Sequence, residues 1–262
     1  MARISVLMGI YNCGSTLVEA LESLYAQTYQ DFKIILCEDG SSDDTYQVAQ
    51  DYASSHDNIL LLRNERNMGL NYTLNRCLEH ADTEYIARMD GDDISLPKRF
   101  ETEVNFLDTH PEYAVVSGPM IYFDENGDFR TGTGKGEVKK EDFIMGSPVC
   151  HAPCMARTAA FKAVGGYSVD DRLLRVEDYH LWFKLFAAGY KLYMLNDVIY
   201  KMRDDRDAFK RRTFSSRLNE AYVKHVGYKM IGLPWYTQVF ALKPILLSII
   251  PGFMYKKLHN KH

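Results

Sequence analysis

Residues 84–93 read EYIARMDGDD, an apolar run that meets three carboxylates within four positions. Tyr85, Ile86, Ala87 and Met89 fit a short buried strand, broken only by Arg88. Asp90, Asp92 and Asp93 follow at once, and like charges this close disfavour one another's ionised form. This strand closes a series of similar units.

Upstream, RISVLMGI (residues 3–10) is a continuous apolar run, as expected of a strand covered on both faces. Leu17, Ala20, Leu21 and Leu24 recur at helical spacing over Ser15 to Gln27, with Ser15 as the expected N-cap. FKIILCEDG (32–40) is the next strand, and Asp43 or Asp44 opens a helix to about His56. NILLLRN (58–64) is a third strand and Leu70 to Ala81 a third helix. Strands alternating with helices predict right-handed crossovers and a largely parallel α/β sheet. Ligands of such sheets gather beyond the strands' carboxyl ends. The polar clusters sit there: Asn12, Glu38-Asp39-Gly40, Asn67 to Gly69, then the acids.

Beyond Asp93 the pattern loosens. Leu96 to His110 reads as a helix with Pro97 in its first turn, and YAVVSGPMIYF (113–123) as one strand. GDFRTGTGKGEVKK (127–140) is Gly-rich and polar, expected as a mobile loop. CHAPCMAR and TAAFKAVGGY read as strand, helix and glycine turn, Glu177 to Ala188 as an amphipathic helix. KLYMLNDVIYKMR (191–203) reads as a closing strand pair, and the chain from Asp207 as helical and basic.

The hydrophobic fraction of 46% is that of a globular protein. MARISVLMGIYN is too quickly polar for a signal peptide, and five scattered cysteines suit a reducing, cytoplasmic compartment. The net charge of -4 conceals an asymmetry: residues 201–262 carry +9 and residues 1–200 carry -13. A basic tail on an acidic body points to an anionic partner, a membrane surface rather than nucleic acid.

Asp-x-Asp on a tight turn can aim two carboxylates at one point, and Mg²⁺ or Mn²⁺ takes such oxygens while sharing substrate phosphates. The alternative is a solvated acidic turn, with Asp93 capping the helix that follows. Glu177-Asp178 at a helix start is either a catalytic pair or two acids favoured by the helix dipole. Cys150, His151 and Cys154 lack the second ligand pair of a zinc site. No strand is followed by a dinucleotide or P-loop glycine signature.

Together, SVLMGIYNCGSTLVEALESLYAQTYQDFKIILCEDGSSDDT, NERNMGLNYTLNRCLEHADTEYIARMDGDD, GGY and EDYHLW resemble the nucleotide-diphospho-sugar glycosyltransferases of family 2, over about residues 3–203. The resemblance implies a GT-A fold: a catalytic domain at 1–205, with a nucleotide-binding half at 1–95 and an acceptor half at 96–205, then a basic helical tail at 206–262. It implies an inverting, metal-dependent glycosyltransferase moving sugar from a UDP-sugar, or a dTDP-sugar, to a glycan or lipid-linked glycan. Tyr11 and the backbone near Gly9 would lie by the base, and Asp39 would accept from its N–H. Asn67, Gly69 and Asn75 would border the diphosphate and ribose. Asp92 would bind Mn²⁺ or Mg²⁺, with Asp90 near the metal and ribose and Asp93 in support. Asp178 would be the base and Glu177 its orienting partner. His151, Gly166 and Tyr167 would lie on the acceptor side. The chain departs from the family's Tyr-Arg-x-His at Tyr200-Lys201-Met202-Arg203, so Arg203 would meet phosphate in place of a metal-binding His. A second departure is Gly9, where the family commonly has Pro. A nucleotidyltransferase would want a basic glycine-rich loop near the first strand, and GIYNCGST has no Lys or Arg. A non-catalytic sugar-nucleotide or glycan-binding module would have little use for Asp178.

In the tail, only 12 residues separate Lys243 from Lys256, with Pro251-Gly252 between, too few to span a bilayer. Trp235, Tyr236 and Phe240, with Lys210-Arg211-Arg212, fit an interfacial segment at the inner face of the cytoplasmic membrane. Packing on its own domain or a second subunit is the alternative.

Overall fold

The computed structural model describes residues 2–204 and 213–249. The first half follows the expected alternation: β1 (Ile4–Ile10), α1 (Gly14–Tyr25), β2 (Phe32–Glu38), α2 (Thr45–Ser54), β3 (Ile59–Arg63), α3 (Leu70–Glu79) and β4 (Tyr85–Arg88). The rest comprises β5 (Ile94–Ser95), α4 (Arg99–Thr109), β6 (Tyr113–Ser117), β7 (Met120–Asp124), β8 (Gly127–Thr131), β9 (Gly136–Glu137), α5 (Asp142–Met145), β10 (Met155–Arg157), α6 (Thr158–Ala163), α7 (Glu177–Ala187), β11 (Lys191–Met194), β12 (Tyr200–Arg203), α8 (Phe214–Met230) and α9 (Lys243–Ile249).

The central sheet runs β3-β2-β1-β4-β10-β6-β11-β9. β1 pairs in parallel with β2 and β4, so Ile4 stands beside both Phe32 and Tyr85. β10 runs antiparallel to β4 and β6, which makes the sheet mixed. The pleat sends alternate side chains to opposite faces. Leu7 and Ile35 meet α3 and α7 in a core around Trp182, while Val6, Met8 and Ile34 meet α1 and α4 around Phe100. Burying both faces explains the apolar runs of β1 and β2.

Several sequence expectations change. Residues 113–123 are not one strand: Gly118-Pro119 breaks them into β6 and β7, which lie in different sheets. A Cβ at Gly118 would meet Ile199 Cγ1 at 2.7 Å, so the chain crosses there only as glycine. The glycine-rich stretch holds β8 and β9 rather than a free loop. β11 and β12 do not pair with each other; β12 joins a second sheet, β5-β12-β7-β8. Ser15 is not the cap of α1: Cys13 holds that position, and Gly14 N–H donates to Asp43 Oδ2 at 3.1 Å. α4 starts at Arg99, beyond Pro97.

Beneath the acid turn, Arg99 is fully buried, paired with Glu103 at 3.0 Å, and donates to the Arg88 carbonyl at 2.7 Å. It fastens α4 to the end of β4. α8 packs on α7, and Val223, Tyr228 and Ile231 enter the Trp182 core. The tail's expected start near 206, the basic run at 210–212 and residues 250–262 lie outside the described residues.

Candidate active site

The loops after β1, β2 and β3 are tied together by side chains. Asn12, at φ 49, accepts from Ser42 N–H at 2.9 Å, while its own N–H donates to Ser41 Oγ at 3.0 Å. Asp39 is 4% exposed. Its Oδ1 accepts from Asn64 Nδ2 at 2.6 Å and Met68 N–H at 2.8 Å, and its Oδ2 from Gly69 N–H at 2.9 Å. A carboxylate has about four lone-pair positions, so one acceptor position is left for a ligand. Asn67 Oδ1 also accepts from Gly69 N–H, whose residue stands at φ 89. Asp39 therefore clamps the Asn67–Gly69 turn against β2.

At the end of β4, Asp90 ion-pairs with Arg88, and its N–H donates to Tyr200 Oη at 3.2 Å. A side chain at Gly91 would have to displace Cys13, since a Cβ would meet its Sγ at 2.6 Å. Asp92 projects into the cleft, where partial desolvation and Asp90 push its carboxyl up. Asp93 is buried. Its Oδ1 accepts from Arg203 N–H at 2.7 Å, and its Oδ2 has no hydrogen-bond partner among the described residues. Burial, with Asp90 and Asp92 beside it, pushes the Asp93 carboxyl up to about 8. Arg203 donates from Nε to the Asp92 carbonyl at 3.0 Å and pairs with Glu19 at 2.5 Å. Gly9, Tyr11, Asn12, Asp90, Asp92 and Arg203 line one cavity of about 300 Å³. Tyr11 is 46% exposed there, free to lie against a planar ring.

A second cavity, of about 500 Å³, is lined by Ser147, Arg175, Asp178, Asp204, Arg217 and Glu220. Asp178 sits in the first turn of α7 and accepts from Ser147 Oγ at 3.4 Å. Burial pushes its carboxyl up, against the pull of the Tyr179 N–H and Ser147. Burial and Asp178 push Glu177 up to about 7. His151 Nε2 meets Tyr167 Oη at 2.7 Å, packed edge-on to Trp182. Burial and the Arg88 charge hold that imidazole neutral. Asn75 is committed: it donates to the Tyr167 carbonyl at 2.7 Å and accepts from Tyr167 N–H at 2.8 Å. Gly166, at φ 60, leaves room for that clamp, since a Cβ would meet Asn75 Oδ1 at 2.5 Å. Asn75 thus joins α3 to the loop at 166–167.

The structure gathers Gly9, Tyr11, Asp90, Asp92 and Arg203 in one cavity and Asp178 in the next. Asp39, Asn67 and Gly69 form the clamp beside the first, and His151, Gly166 and Tyr167 a packed support behind the second. Arg88 was missed by sequence reasoning. Its one signal is a lone charge in an apolar strand. It is 5% exposed, and its charge favours the ionised forms of Asp92, Asp93, Glu177 and Asp178.

The sequence profile of glycosyl transferase family 2 matches residues 5–165. A putative glycosyltransferase of Bacillus subtilis, EpsE, is 38% identical over 99% of this chain and 94% of its own. The chain belongs to glycosyltransferase family 2. It is an enzyme of the glycosyltransferase class. An Escherichia coli relative, the UDP-Gal:alpha-D-GlcNAc-diphosphoundecaprenol beta-1,3-galactosyltransferase, is 28% identical over 98% of this chain and 96% of its own. The fold is GT-A, shared with Staphylococcus aureus TarS in complex with UDP-GlcNAc (TM-score 0.72, 19% identity, 94% of this chain and 72% of that one). It is shared too with the Pyrobaculum calidifontis mannosyltransferase PcManGT in complex with GDP-Man and Mn²⁺ (TM-score 0.67, 18% identity, 94% and 74%).

Among the described residues no three His, Cys, Asp or Glu side chains converge as a complete metal cage. Asp90 and Asp92, which line one cavity, still fit a hard cation. Such an ion needs only one or two carboxylates when substrate phosphates and water fill the remaining positions.

The raised Glu177 carboxyl has a consequence for stability. A carboxyl whose pKa rises on folding favours the folded state at low pH, and that contribution is lost as pH climbs through the raised value. Between about 4.5 and 7, wild type should lose stability on alkalinisation, and Glu177→Gln should lose less. Thermal unfolding from pH 4 to 8 should show a Tm gap, in favour of the variant, that opens with pH. A gap that is constant across the range would remove the assigned shift.

Proposed function

We propose that the chain transfers a sugar, with inversion, from a UDP-sugar to a glycan or lipid-linked glycan acceptor in surface polysaccharide synthesis. The observation that carries this reading is a pair of cavities linked by the consecutive residues Arg203 and Asp204, one lined by Asp90 and Asp92, the other by Asp178. The E. coli relative's UDP-Gal donor and diphosphoundecaprenol acceptor support the substrate classes.

In this reading Tyr11 stacks on the uracil ring and Asp39 uses its remaining acceptor position for the ring N–H. Asp90 and Asp92 would hold Mn²⁺ or Mg²⁺, whose chemistry is to offset charge on the departing diphosphate. Arg203 adds a fixed positive charge at the same cavity. Asp178 takes the proton of the acceptor hydroxyl as that oxygen attacks the anomeric carbon. The new C–O bond forms as the bond to the diphosphate breaks on the opposite face, and UDP leaves. Burial of Asp178 makes it a stronger base than an exposed Asp, and its acceptor hydroxyl must approach from the second cavity.

Peripheral binding at the inner face of the cytoplasmic membrane completes the proposal. Trp235, Tyr236 and Val239 are 86%, 61% and 62% exposed on one 3-10 segment, Trp235–Leu242, in the basic part of the chain. No described helix is long and apolar enough to cross a membrane. Aromatic side chains beside Lys and Arg suit an anionic interface.

UDP release with Mn²⁺ across a donor panel tests the chemistry. Asp178→Asn should lower kcat by about 10²–10⁴-fold with UDP affinity kept, as expected for a general base. Asp92→Ala should lose Mn²⁺-dependent turnover, and full activity in both variants overturns the roles. Co-sedimentation with phosphatidylglycerol vesicles tests the surface. The triple variant with Trp235, Tyr236 and Val239 replaced by Ser should stay in the supernatant while wild type pellets; equal pelleting overturns that face.

A further inference from the structure

Asp90 and Asp92 line the same cavity, but their carboxylates are not equivalent. Asp92 makes no ion pair and no side-chain hydrogen bond to another residue among those described. Asp90 is already engaged, its Oδ2 paired with Arg88 Nη1. The Arg88 side chain is 5% exposed against 24% for Asp90. Arg88 closes β4 in the middle of the central sheet, so its place is fixed. Asp90 is pinned from the other side, where its N–H donates to Tyr200 Oη at 3.2 Å. A guanidinium also keeps its proton in a protein, so Arg88 is a permanent counterion to Asp90.

The second cation of the cavity, Arg203, has a counterion of its own in Glu19 at 2.5 Å. Asp93 is not part of the lining and turns its Oδ1 to Arg203 N–H. Tyr11, Asn12, Cys13, Ser15 and Thr16 complete the polar lining with neutral groups. The charges therefore pair off, Asp90 with Arg88 and Arg203 with Glu19. Asp92 is left as the unpaired charge of the lining among the described residues.

This balance bears on how a cation enters. A hard divalent ion gives up hydration reluctantly and needs several oxygen ligands. One unpaired carboxylate offers little, and two fixed guanidiniums repel the ion. A nucleoside diphosphate changes both terms. Its oxygens ligate the ion, and its negative charge is attracted by the same guanidiniums.

We propose that Arg88, by holding Asp90 neutralised, keeps the divalent cation out of the empty cavity and admits it together with the diphosphate. Asp90 then offers its second oxygen to the ion while Oδ2 stays with Arg88. Arg88 is a positioning residue in this scheme, acting through Asp90. The proposal rests on the reading of Asp90 and Asp92 as the cation site.

The test is Mn²⁺ binding to the full chain, followed by the electron paramagnetic resonance of the free ion. It is run with and without saturating UDP and corrected for the Mn²⁺ that UDP holds in solution. Arg88→Met should bind bare Mn²⁺ about tenfold tighter than wild type, and UDP should strengthen its binding about tenfold less. Arg88→Lys keeps the charge and should stay near wild type. The double variant Arg88→Met/Asp90→Asn replaces the ion pair by neutral groups, and should bind bare Mn²⁺ within about threefold of wild type while UDP-assisted binding weakens. Folds often tolerate that exchange of a buried pair, so the double variant decides the matter even where Arg88→Met does not fold. Tm and metal-free UDP binding report folding in each variant. Unchanged bare affinity in folded Arg88→Met overturns the proposal. So does a double variant more than about tenfold weaker than wild type for bare Mn²⁺, since Asp90 would then already be free for the ion. If wild type has no UDP-dependent Mn²⁺ site, the cation reading itself falls and this proposal with it. If that site is present and only the Arg88 variants fail to respond, the cation reading stands and the role of Arg88 falls.

Discussion

Arg88 lies buried at the carboxyl end of β4, paired through Nη1 with Asp90, while its Nε has no hydrogen-bond partner among the described residues. A guanidinium stays charged in a protein, and removing it from water is costly unless opposite charge surrounds it. Here its charge acts on acids from two parts of the chain: Asp90, Asp92 and Asp93 after β4, and Glu177 and Asp178 at the start of α7. The acids in turn need it. Without that charge, three carboxylates in four residues would repel one another in a partly desolvated cleft. Arg88 offsets part of this repulsion, and a divalent cation with a diphosphate would offset more. The cluster remains electrostatically unsaturated, as the proposed cation and diphosphate site requires.

Around that charge, side-chain hydrogen bonds tie distant segments together. Asn71 and Asn75 of α3 grip Ser168 and Tyr167, and Lys184 of α7 donates to the Gly166 carbonyl at 2.7 Å. The loop at 166–168 is therefore fastened to α3, and α7, which carries Asp178, to that loop. Side chains fixed by packing and second contacts keep their geometry, which is what in-line transfer between two substrates demands. Asp39 serves the same end on the donor side, spending three acceptor positions on the chain and keeping one.

The first four strands and three helices were legible because both periodicities were strong. β1 and β2 are apolar throughout, and α1 repeats at helical spacing. The second half was harder. A strand pair and a single strand were expected where β6, β7, β11 and β12 divide between two sheets. The break falls at Gly118-Pro119, a turn-marking dipeptide inside a long apolar run, and Ile199 packs against Gly118 there. The acids of the site were legible as residue types at strand and helix ends. Their partners were not: Tyr200, which accepts from Asp90 N–H, and Ser147, which donates to Asp178, come from distant positions, and only the tertiary fold brings them there.

The central claim is that Asp178 acts from the face opposite the departing diphosphate. The product's anomeric configuration tests this most directly. With an α-configured UDP-sugar donor, the proton coupling constant at the new linkage should report a β-glycoside. An α-glycoside would contradict a single displacement driven by Asp178 and would require a different arrangement of the two substrates.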